Sequence, residues 1–230
     1  GSLKPASSFI QHTGSSINPE RQEGPHAHSI NIDPQNNFAL VPDLGLDKIL
    51  IFKINFEKGK LEPNSIPYGI VEPGSGPRHL DFHSSGKFVY VLNEISATIT
   101  AFSYDHNTAE MKEIETVSTL PENFSTQSCA DIHISKDGKF LYASNRGHDS
   151  IVIFSINQNN GKMEYVAHQS TLGNIPRNFG IDPNGNFILA ANQDSSDIYS
   201  FQVDKDLGLL SPTGFSINIP YPVCLKFLKK

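Results

Sequence analysis

The strongest constraint on the fold is a sequence segment that occurs four times along the chain. Each copy contains two phenylalanines separated by 14 residues, so the four copies align without gaps. The first phenylalanine recurs after 50, 52 and 47 residues. A repeat near fifty residues that is made of strand-like runs and turns predicts a β-propeller or another β-repeat array. The four pairs are Phe38 and Phe52, Phe88 and Phe102, Phe140 and Phe154, and Phe187 and Phe201.

The second copy shows how one repeat divides into strands. Alternating polar and apolar residues predict a first strand at 79–82, and an aromatic and β-branched run predicts a second at 88–92. Between them, residues 84–87 are of types that tolerate tight turns. Further strands are predicted at 98–104 and, more weakly, at 111–117. Four antiparallel strands per repeat describe one propeller blade, and no helical periodicity is visible, so the sequence predicts an all-β fold.

The whole chain, residues 1–230, is predicted to form one β-propeller domain with partial blades at both ends. Residues 1–14 resemble the outer strand of a preceding blade, and residues 221–230 resemble the first strand of a shared closing blade. An open stack of blades would leave sheet edges exposed to aggregation. We therefore expect further blades, or another copy of the chain, to complete the ring. The four complete blades are predicted at about 25–70, 76–120, 128–172 and 175–219.

Composition excludes several classes of partner. The formal net charge of -6 argues against nonspecific binding to nucleic acid, which requires a basic surface. No apolar run approaches the roughly 20 residues of a membrane-spanning helix, so no membrane partner is expected. Only Cys129 and Cys224 are present, which is too few for a disulfide framework and favours a cytoplasmic location.

The positions at which the repeats differ indicate where function resides. In an antiparallel blade, the start of the first strand lies beside the end of the second, so both face the same mouth of the ring. The position five residues after the first phenylalanine is Asp or Asn in every copy, which predicts a turn. Its neighbour varies and includes Glu94 and Arg146. Ten residues before the phenylalanine stand His28, Arg78, Ala130 and Arg177. Arginines around one mouth predict a pocket for a small anion.

Several segments carry a family resemblance that runs along nearly the whole chain. They are RQEGPHAHSI, GSGPRHLDFH, YVLNEIS, LPENFS, ADIHISKDGKFLYASNR and NIPRNFGID. Together they resemble the lactonase family of seven-bladed β-propellers, which includes 6-phosphogluconolactonases and a carboxy-muconate cycloisomerase. The resemblance implies a seven-bladed ring, of which this chain would be the C-terminal part.

The resemblance also implies a site and a reaction. The family's site residues correspond to His28, Arg78, Glu94 and Arg146. The implied reaction is hydrolysis of a sugar lactone, in the first place of 6-phospho-D-glucono-1,5-lactone to 6-phosphogluconate in the pentose phosphate pathway. His28 is the expected base, with Glu94 as the alternative base or the group that orients it, and no metal or cofactor is expected. Substrate contacts are expected from Arg78, Arg146, His26, Asp43, Asn93, Asn145 and Arg177.

Other interpretations of the same residues stay open. Arg78 and Glu94 could form a surface ion pair without function. The paired histidines His26 and His28 could hold a metal, although no third ligand with a familiar spacing is visible. His79 and His133 are expected to be hydrogen-bonded core histidines. A lactone-forming cycloisomerase, or a propeller that binds a ligand without catalysis, would use the same mouth, and four blades without the rest of the ring could be inactive.

Overall fold

The computed structural model describes residues 2, 4–124 and 128–228. These residues form sixteen strands in four sheets of four antiparallel strands, and they contain no helix. Accordingly, none of the described residues lie in a helix that could cross a membrane. The order of strands in each sheet follows the order of the chain, which is the topology of a propeller blade. The prediction of an all-β fold built from four-stranded antiparallel blades is confirmed.

The strand bounds are as follows. Blade 1 contains β1 (Asn31–Ile32), β2 (Phe38–Asp43), β3 (Lys48–Asn55) and β4 (Lys60–Ile70). Blade 2 contains β5 (Pro77–Phe82), β6 (Phe88–Asn93), β7 (Thr98–Tyr104) and β8 (Met111–Ser118). Blade 3 contains β9 (Cys129–Ile134), β10 (Phe140–Asn145), β11 (Ser150–Ile156) and β12 (Met163–Ser170). Blade 4 contains β13 (Pro176–Ile181), β14 (Phe187–Asn192), β15 (Asp197–Val203) and β16 (Leu210–Asn218).

The hydrophobic core lies between blades rather than within them. Three clusters of buried apolar side chains join blade 1 to blade 2, blade 2 to blade 3, and blade 3 to blade 4. All residues of β6 and β10 are buried, because these strands have a hydrogen-bonded neighbour on each side and a blade against each face. The sequence of β6, FVYVLN, is accordingly apolar along almost its whole length.

The repeated phenylalanines show how consecutive blades meet. Phe88 and Phe140 are buried against the next blade, where their rings lie against a turn between the third and fourth strands. In blade 4 the equivalent Phe187 is 42% exposed. At the other end of the stack, Ile30 and Ile32 of blade 1 are also exposed. The two outer faces of the four-blade stack therefore present apolar side chains of the kind that blades bury between them.

A tyrosine and a glycine join neighbouring blades by a hydrogen bond. The hydroxyl of Tyr90 in β6 donates to the carbonyl oxygen of Gly161 in blade 3 at 2.8 Å. The hydroxyl of Tyr142 in β10 donates in the same way to Gly208 in blade 4 at 3.0 Å. Gly161 has φ of +73°, and a Cβ atom there would lie 2.6 Å from the ring of Phe88. Only glycine meets both the conformational and the steric requirement at this joint.

The two flanking segments differ from their predicted conformation. Neither residues 4–14 nor residues 221–228 form strands. A strand requires a ladder of hydrogen bonds with a neighbouring strand, and neither segment has one here. The second segment nevertheless contacts β13 at one point, where the N–H of Leu225 donates to the side-chain oxygen of Asn178 at 2.6 Å. Their assignment to strands of further blades stays a prediction.

The hydrogen bond between blades gives a first test of stability. We expect Tyr90→Phe to lower the free energy of unfolding by about 1 kcal/mol, because the buried carbonyl group of Gly161 loses its donor. Chemical denaturation of the purified proteins measures the difference. The exposed Tyr221 provides the control, since Tyr221→Phe should leave stability unchanged. Equal stability of all three proteins would contradict a role for this bond in joining the blades.

Candidate active site

A β-bulge at the start of the first strand turns side chains toward one mouth of the propeller. Pro77 pairs with Asn93 and His79 pairs with Leu92, so Arg78 is an extra residue between two ladder positions. The same irregularity occurs in blade 4, where Arg177 is the extra residue. Bulges commonly redirect a side chain in this way. Proline suits the position because it has no N–H to place in the ladder.

Glu94 is the centre of a cluster contributed by three blades and one loop. Its Oε2 atom lies 2.8 Å from Nε of Arg78 and 3.0 Å from Nη2 of Arg146. Its Oε1 atom accepts a hydrogen bond of 2.6 Å from Nη2 of Arg21. Nε2 of His28 lies 3.9 Å from Oε2. The four residues named by the family resemblance therefore come together in space.

The two arginines on the Oε2 side are held by more than Glu94. Nη1 of Arg78 donates to the carbonyl oxygen of Ala130, and Nη2 of Arg146 donates to that of Cys129 at 2.9 Å. Both acceptors belong to the first two residues of β9. The Nε–H of Arg78 is close to Glu94 but not directed at it, so this contact is an ion pair rather than a hydrogen bond. Both guanidinium groups are largely buried and fixed in place.

Charge and burial act in opposite directions at Glu94. Burial alone raises the pKa of the carboxyl group, but the hydrogen bond from Arg21 and the charges of Arg146 and Arg78 outweigh it and lower the pKa. Burial also lowers the pKa of Arg78, although a guanidinium group remains protonated at neutral pH. One carboxylate thus faces three permanent cations. The cluster has a surplus of positive charge in a partly desolvated place, which favours an anionic ligand.

His28 is held in one tautomer by the backbone. Its Nδ1 lies 2.9 Å from the carbonyl oxygen of His26, which can only accept, so Nδ1 carries the proton. The Nε2 atom then has a free lone pair and faces the Glu94 side of the cluster. Burial lowers the pKa of His28 below its ordinary 6.5, against the opposing effects of the His26 bond and the Glu94 charge. The ring is therefore neutral near pH 7, as a general base must be.

A second polar layer lies next to Arg78. Nδ1 of His79 is 2.7 Å from Oδ1 of Asp131, and Nε2 of His79 is 3.0 Å from Nη1 of Arg78. His133 and Asn178 bond the other oxygen of Asp131. Burial alone would raise the pKa of Asp131. The hydrogen bonds from His133 and His79 outweigh burial, so the pKa is lowered. His79 and His133 are hydrogen-bonded within the fold, as expected, but their side chains are half-buried and do not belong to the core.

The other predicted contact residues lie outside the cluster. Asp43 is fully buried and accepts hydrogen bonds from the backbone of His26 and from His12. Asn93 and Asn145 are also fully buried; Asn93 donates to the hydroxyl group of Thr100 in β7, and Asn145 donates to the carbonyl oxygen of Thr119. These side chains shape turns, as the near-constant Asp or Asn at this position predicts. Their direct contact with a substrate stays a prediction.

Two more predicted residues lie at the mouth without joining Glu94. Nε2 of His26 lies 3.0 Å from Oε1 of Glu23. The backbone carbonyl group of His26, rather than its ring, contacts His28. Arg177 occupies the same bulge position in blade 4 as Arg78 does in blade 2, and its positive charge lowers the pKa of Arg78. Among the described residues, no group of three or more His, Cys, Asp or Glu side chains is arranged to hold a metal ion.

Arg21 is the functional candidate that the repeat pattern missed. It lies in a loop before blade 1 that has no counterpart in the repeats, so aligning the copies could not identify it. Arg21 is the first residue of RQEGPHAHSI, one of the segments that carry the family resemblance. That position was the only feature of the sequence that pointed to Arg21.

Comparison with known proteins identifies the family. A family model described as lactonase, 7-bladed beta-propeller, matches residues 1–227. The chain belongs to the lactonase family. This lactonase-family chain is 40% identical over 230 residues to the 6-phosphogluconolactonase of Bacillus subtilis (strain 168), which covers 99% of the chain and 64% of that protein. It is 42% identical over 213 residues to the 6-phosphogluconolactonase of Formosa agariphila, which covers 91% of the chain and 60% of that protein.

Solved structures of relatives support the same assignment. A crystal structure from Bacteroides fragilis matches the lactonase-family chain with a TM-score of 0.93 and 43% identity, over 100% of this chain and 65% of the other. The periplasmic gluconolactonase of Pseudomonas aeruginosa matches with a TM-score of 0.88 and 30% identity, over 95% and 61%. The chain thus spans less than two thirds of the length of these relatives. The predicted membership of the lactonase family is confirmed.

The Glu94 cluster makes a prediction about stability and pH. We expect Glu94→Gln to lower the free energy of unfolding at pH 7 by about 3 kcal/mol, because two buried guanidinium groups lose their counter-ion. Since the folded-state pKa of Glu94 is lowered, its stabilising charge is present above the ordinary 4.5 and is lost as pH falls through the folded-state value. The difference between the proteins should shrink in that range.

Urea titrations at pH 7 and at several values below 4.5 measure this effect. Glu57→Gln is a matched control, because Glu57 is exposed and should show no difference at any pH. A Glu94→Gln protein as stable as the parent at pH 7 would show that the cluster does not stabilise the fold.

Proposed function

We propose that this chain forms the catalytic mouth of a lactone hydrolase whose substrate is 6-phospho-D-glucono-1,5-lactone. The observation that carries the proposal is the arrangement of His28: its Nδ1 is bonded to the carbonyl oxygen of His26, and its Nε2 lies 3.9 Å from the Glu94 carboxylate that the buried arginines surround. Hydrolysis of an activated ester needs a base for water and positive charge near the developing oxyanion. His28 supplies the first, and Arg78 with Arg146 supplies the second.

The reaction follows in two steps. Nε2 of His28 takes a proton from a water molecule as the water oxygen bonds to the lactone carbonyl carbon. The negative charge that develops on the carbonyl oxygen lies near Arg78 and Arg146, whose positions are fixed before the reaction begins. The tetrahedral intermediate then breaks its bond to the ring oxygen, which receives the proton from His28. One water is consumed, one carbon–oxygen bond forms and one breaks, and the acid product ionises.

Glu94 serves this reaction mainly by positioning the arginines. A carboxylate with a lowered pKa is a weak base, and its oxygens already contact three guanidinium groups. The geometry therefore favours His28 over Glu94 as the base. Glu94 also keeps two like-charged guanidinium groups close together in a buried place, which they could not occupy without a counter-ion.

The choice of substrate rests on charge and on the relatives. The cluster has more positive than negative charge, which suits a phosphorylated lactone. The relatives from Bacillus subtilis and Formosa agariphila are named 6-phosphogluconolactonases, whereas the Pseudomonas aeruginosa protein is named a periplasmic gluconolactonase. We propose the phosphorylated sugar lactone for this chain, as part of the pentose phosphate pathway, and no cofactor.

The propeller is proposed to be completed to seven blades. The family is seven-bladed and four blades are described here. The exposed Phe187 on one outer face and the exposed Ile30 and Ile32 on the other support packing against further blades. These blades belong either to the rest of the polypeptide or to another copy.

We also propose a cytoplasmic location, which the two free cysteines support. Cell fractionation tests it: the protein should be found in the cytoplasmic fraction and not in the periplasmic fraction.

Replacement of the proposed base and of a proposed oxyanion ligand tests the mechanism. In the seven-bladed protein that contains this chain, we expect His28→Gln and Arg78→Ala each to lower kcat by about 100-fold or more. Hydrolysis of 6-phosphogluconolactone is measured after subtraction of the uncatalysed rate. Lys136→Ala serves as the control, because Lys136 lies in the turn between β9 and β10, at the other end of the first strand.

Parent rates in both folded variants would remove these residues from the mechanism. Turnover of a carboxymuconolactone in place of the sugar lactone would identify a cycloisomerase. Binding of 6-phosphogluconate without turnover of any lactone would identify a noncatalytic binding protein.

The pH dependence of kcat/KM distinguishes the two candidate bases. If His28 is the base, activity falls on acidification with a midpoint below 6.5, because the pKa of His28 is lowered by burial and the protonated ring cannot accept a proton. That fall in activity should be absent from the residual activity of His28→Gln. If Glu94 is the base, activity falls only below pH 4.5, and the fall persists in His28→Gln. The second outcome would overturn the assignment of His28.

A further inference from the structure

The three arginines around Glu94 are held unequally. Arg78 and Arg146 are largely buried, and each also donates to a backbone carbonyl at the start of blade 3. The side chain of Arg21 is 50% exposed. Among the described residues, its guanidinium group contacts no acceptor other than Oε1 of Glu94. Arg21 is therefore the one arginine of the cluster that can exchange its partner without breaking other bonds.

The loop that carries Arg21 is well ordered by contacts of its own. The side-chain oxygen of Asn18 accepts the N–H groups of Glu20 and Arg21 at 3.0 and 3.1 Å. Gln22 is fully buried, and its side chain donates to the carbonyl oxygen of Leu44 in blade 1 at 2.8 Å. The loop thus presents the Arg21 side chain at the mouth without depending on the guanidinium group itself.

The two oxygens of Glu94 divide the cluster into two sides. His28, Arg78 and Arg146 lie toward Oε2, where the proposed reaction takes place. Arg21 lies toward Oε1 and is the most exposed of the three arginines. A ligand whose reacting carbonyl lies on the first side can place a second anionic group on the side of Arg21.

Charge decides what kind of group this would be. If Arg21 leaves Glu94, the carboxylate keeps two guanidinium partners and remains compensated. A phosphate monoester carries a charge of about −1.5 to −2 at pH 7, with three acceptor oxygens. It therefore competes well with one carboxylate oxygen for the forked donors of an arginine.

We propose that Arg21 is a specificity-determining residue that transfers from Glu94 to the phosphate group of a phosphorylated sugar lactone when the substrate binds. The inference rests on the proposed function. It adds that recognition of phosphate resides in Arg21, whereas the reacting carbonyl is served by His28, Arg78 and Arg146. Loss of Arg21 should then affect only those ligands that carry phosphate.

The test compares two lactones that differ only in phosphate. In the seven-bladed protein, kcat/KM is measured for 6-phosphogluconolactone and for glucono-1,5-lactone with the parent, Arg21→Gln and Arg21→Lys. We expect Arg21→Gln to lower kcat/KM for the phosphorylated lactone by about 10- to 100-fold, mainly through KM, and Arg21→Lys to restore part of it. Values for glucono-1,5-lactone should stay within about twofold of the parent's. Glu20→Gln, in the same loop, is the control.

Product binding gives a second measurement that does not depend on turnover. Titration calorimetry should show that Arg21→Gln weakens binding of 6-phosphogluconate and leaves binding of gluconate unchanged. Equal losses for both lactones, or no loss for either, would overturn the inference. A parent protein that hydrolyses neither lactone would refute the proposed function, and the binding comparison would still decide the role of Arg21.

Discussion

The carboxylate of Glu94 joins side chains from three parts of the propeller. Its oxygens contact arginines from blade 2, from blade 3 and from the loop before blade 1, and His28 of blade 1 lies beside it. The guanidinium groups of Arg78 and Arg146 are largely buried and would repel each other there without a counter-ion. A single buried carboxylate makes their convergence possible, and the mouth of the propeller depends on this ion cluster. The same cluster has a surplus of positive charge, which suits an anionic ligand.

The scaffold below the cluster explains how a repeated fold makes a unique site. The second strand is fully buried in blades 1, 2 and 3 and partly exposed in blade 4, and the bulge at the start of the first strand recurs at Arg78 and Arg177. The tyrosine-to-glycine bonds fix neighbouring blades relative to one another. Identical frames therefore carry different side chains to one mouth. The backbone provides position, and the residues that differ between copies provide the chemistry.

The sequence contained enough information for the blades and for most of the site. The third strand of blade 2, Thr98–Tyr104, has the predicted bounds because most of its residues are aromatic or β-branched. His28, Arg78, Glu94 and Arg146 were predicted to meet because antiparallel pairing brings their positions to one end of the sheet. Periodicity could not show Arg21, which lies in a loop that does not repeat. It also could not show the tautomer of His28, which depends on a backbone carbonyl two residues away.

The proposed chemistry requires His28 to be a neutral base with an unprotonated Nε2 atom. Nitrogen-15 NMR of the imidazole rings measures this directly, since the two nitrogens have different chemical shifts in each tautomer and in the imidazolium. We expect the His28 ring at pH 7 to carry its proton on Nδ1 and to titrate with a midpoint below 6.5. A proton on Nε2, or a charged ring at pH 7, would show that His28 is not the base.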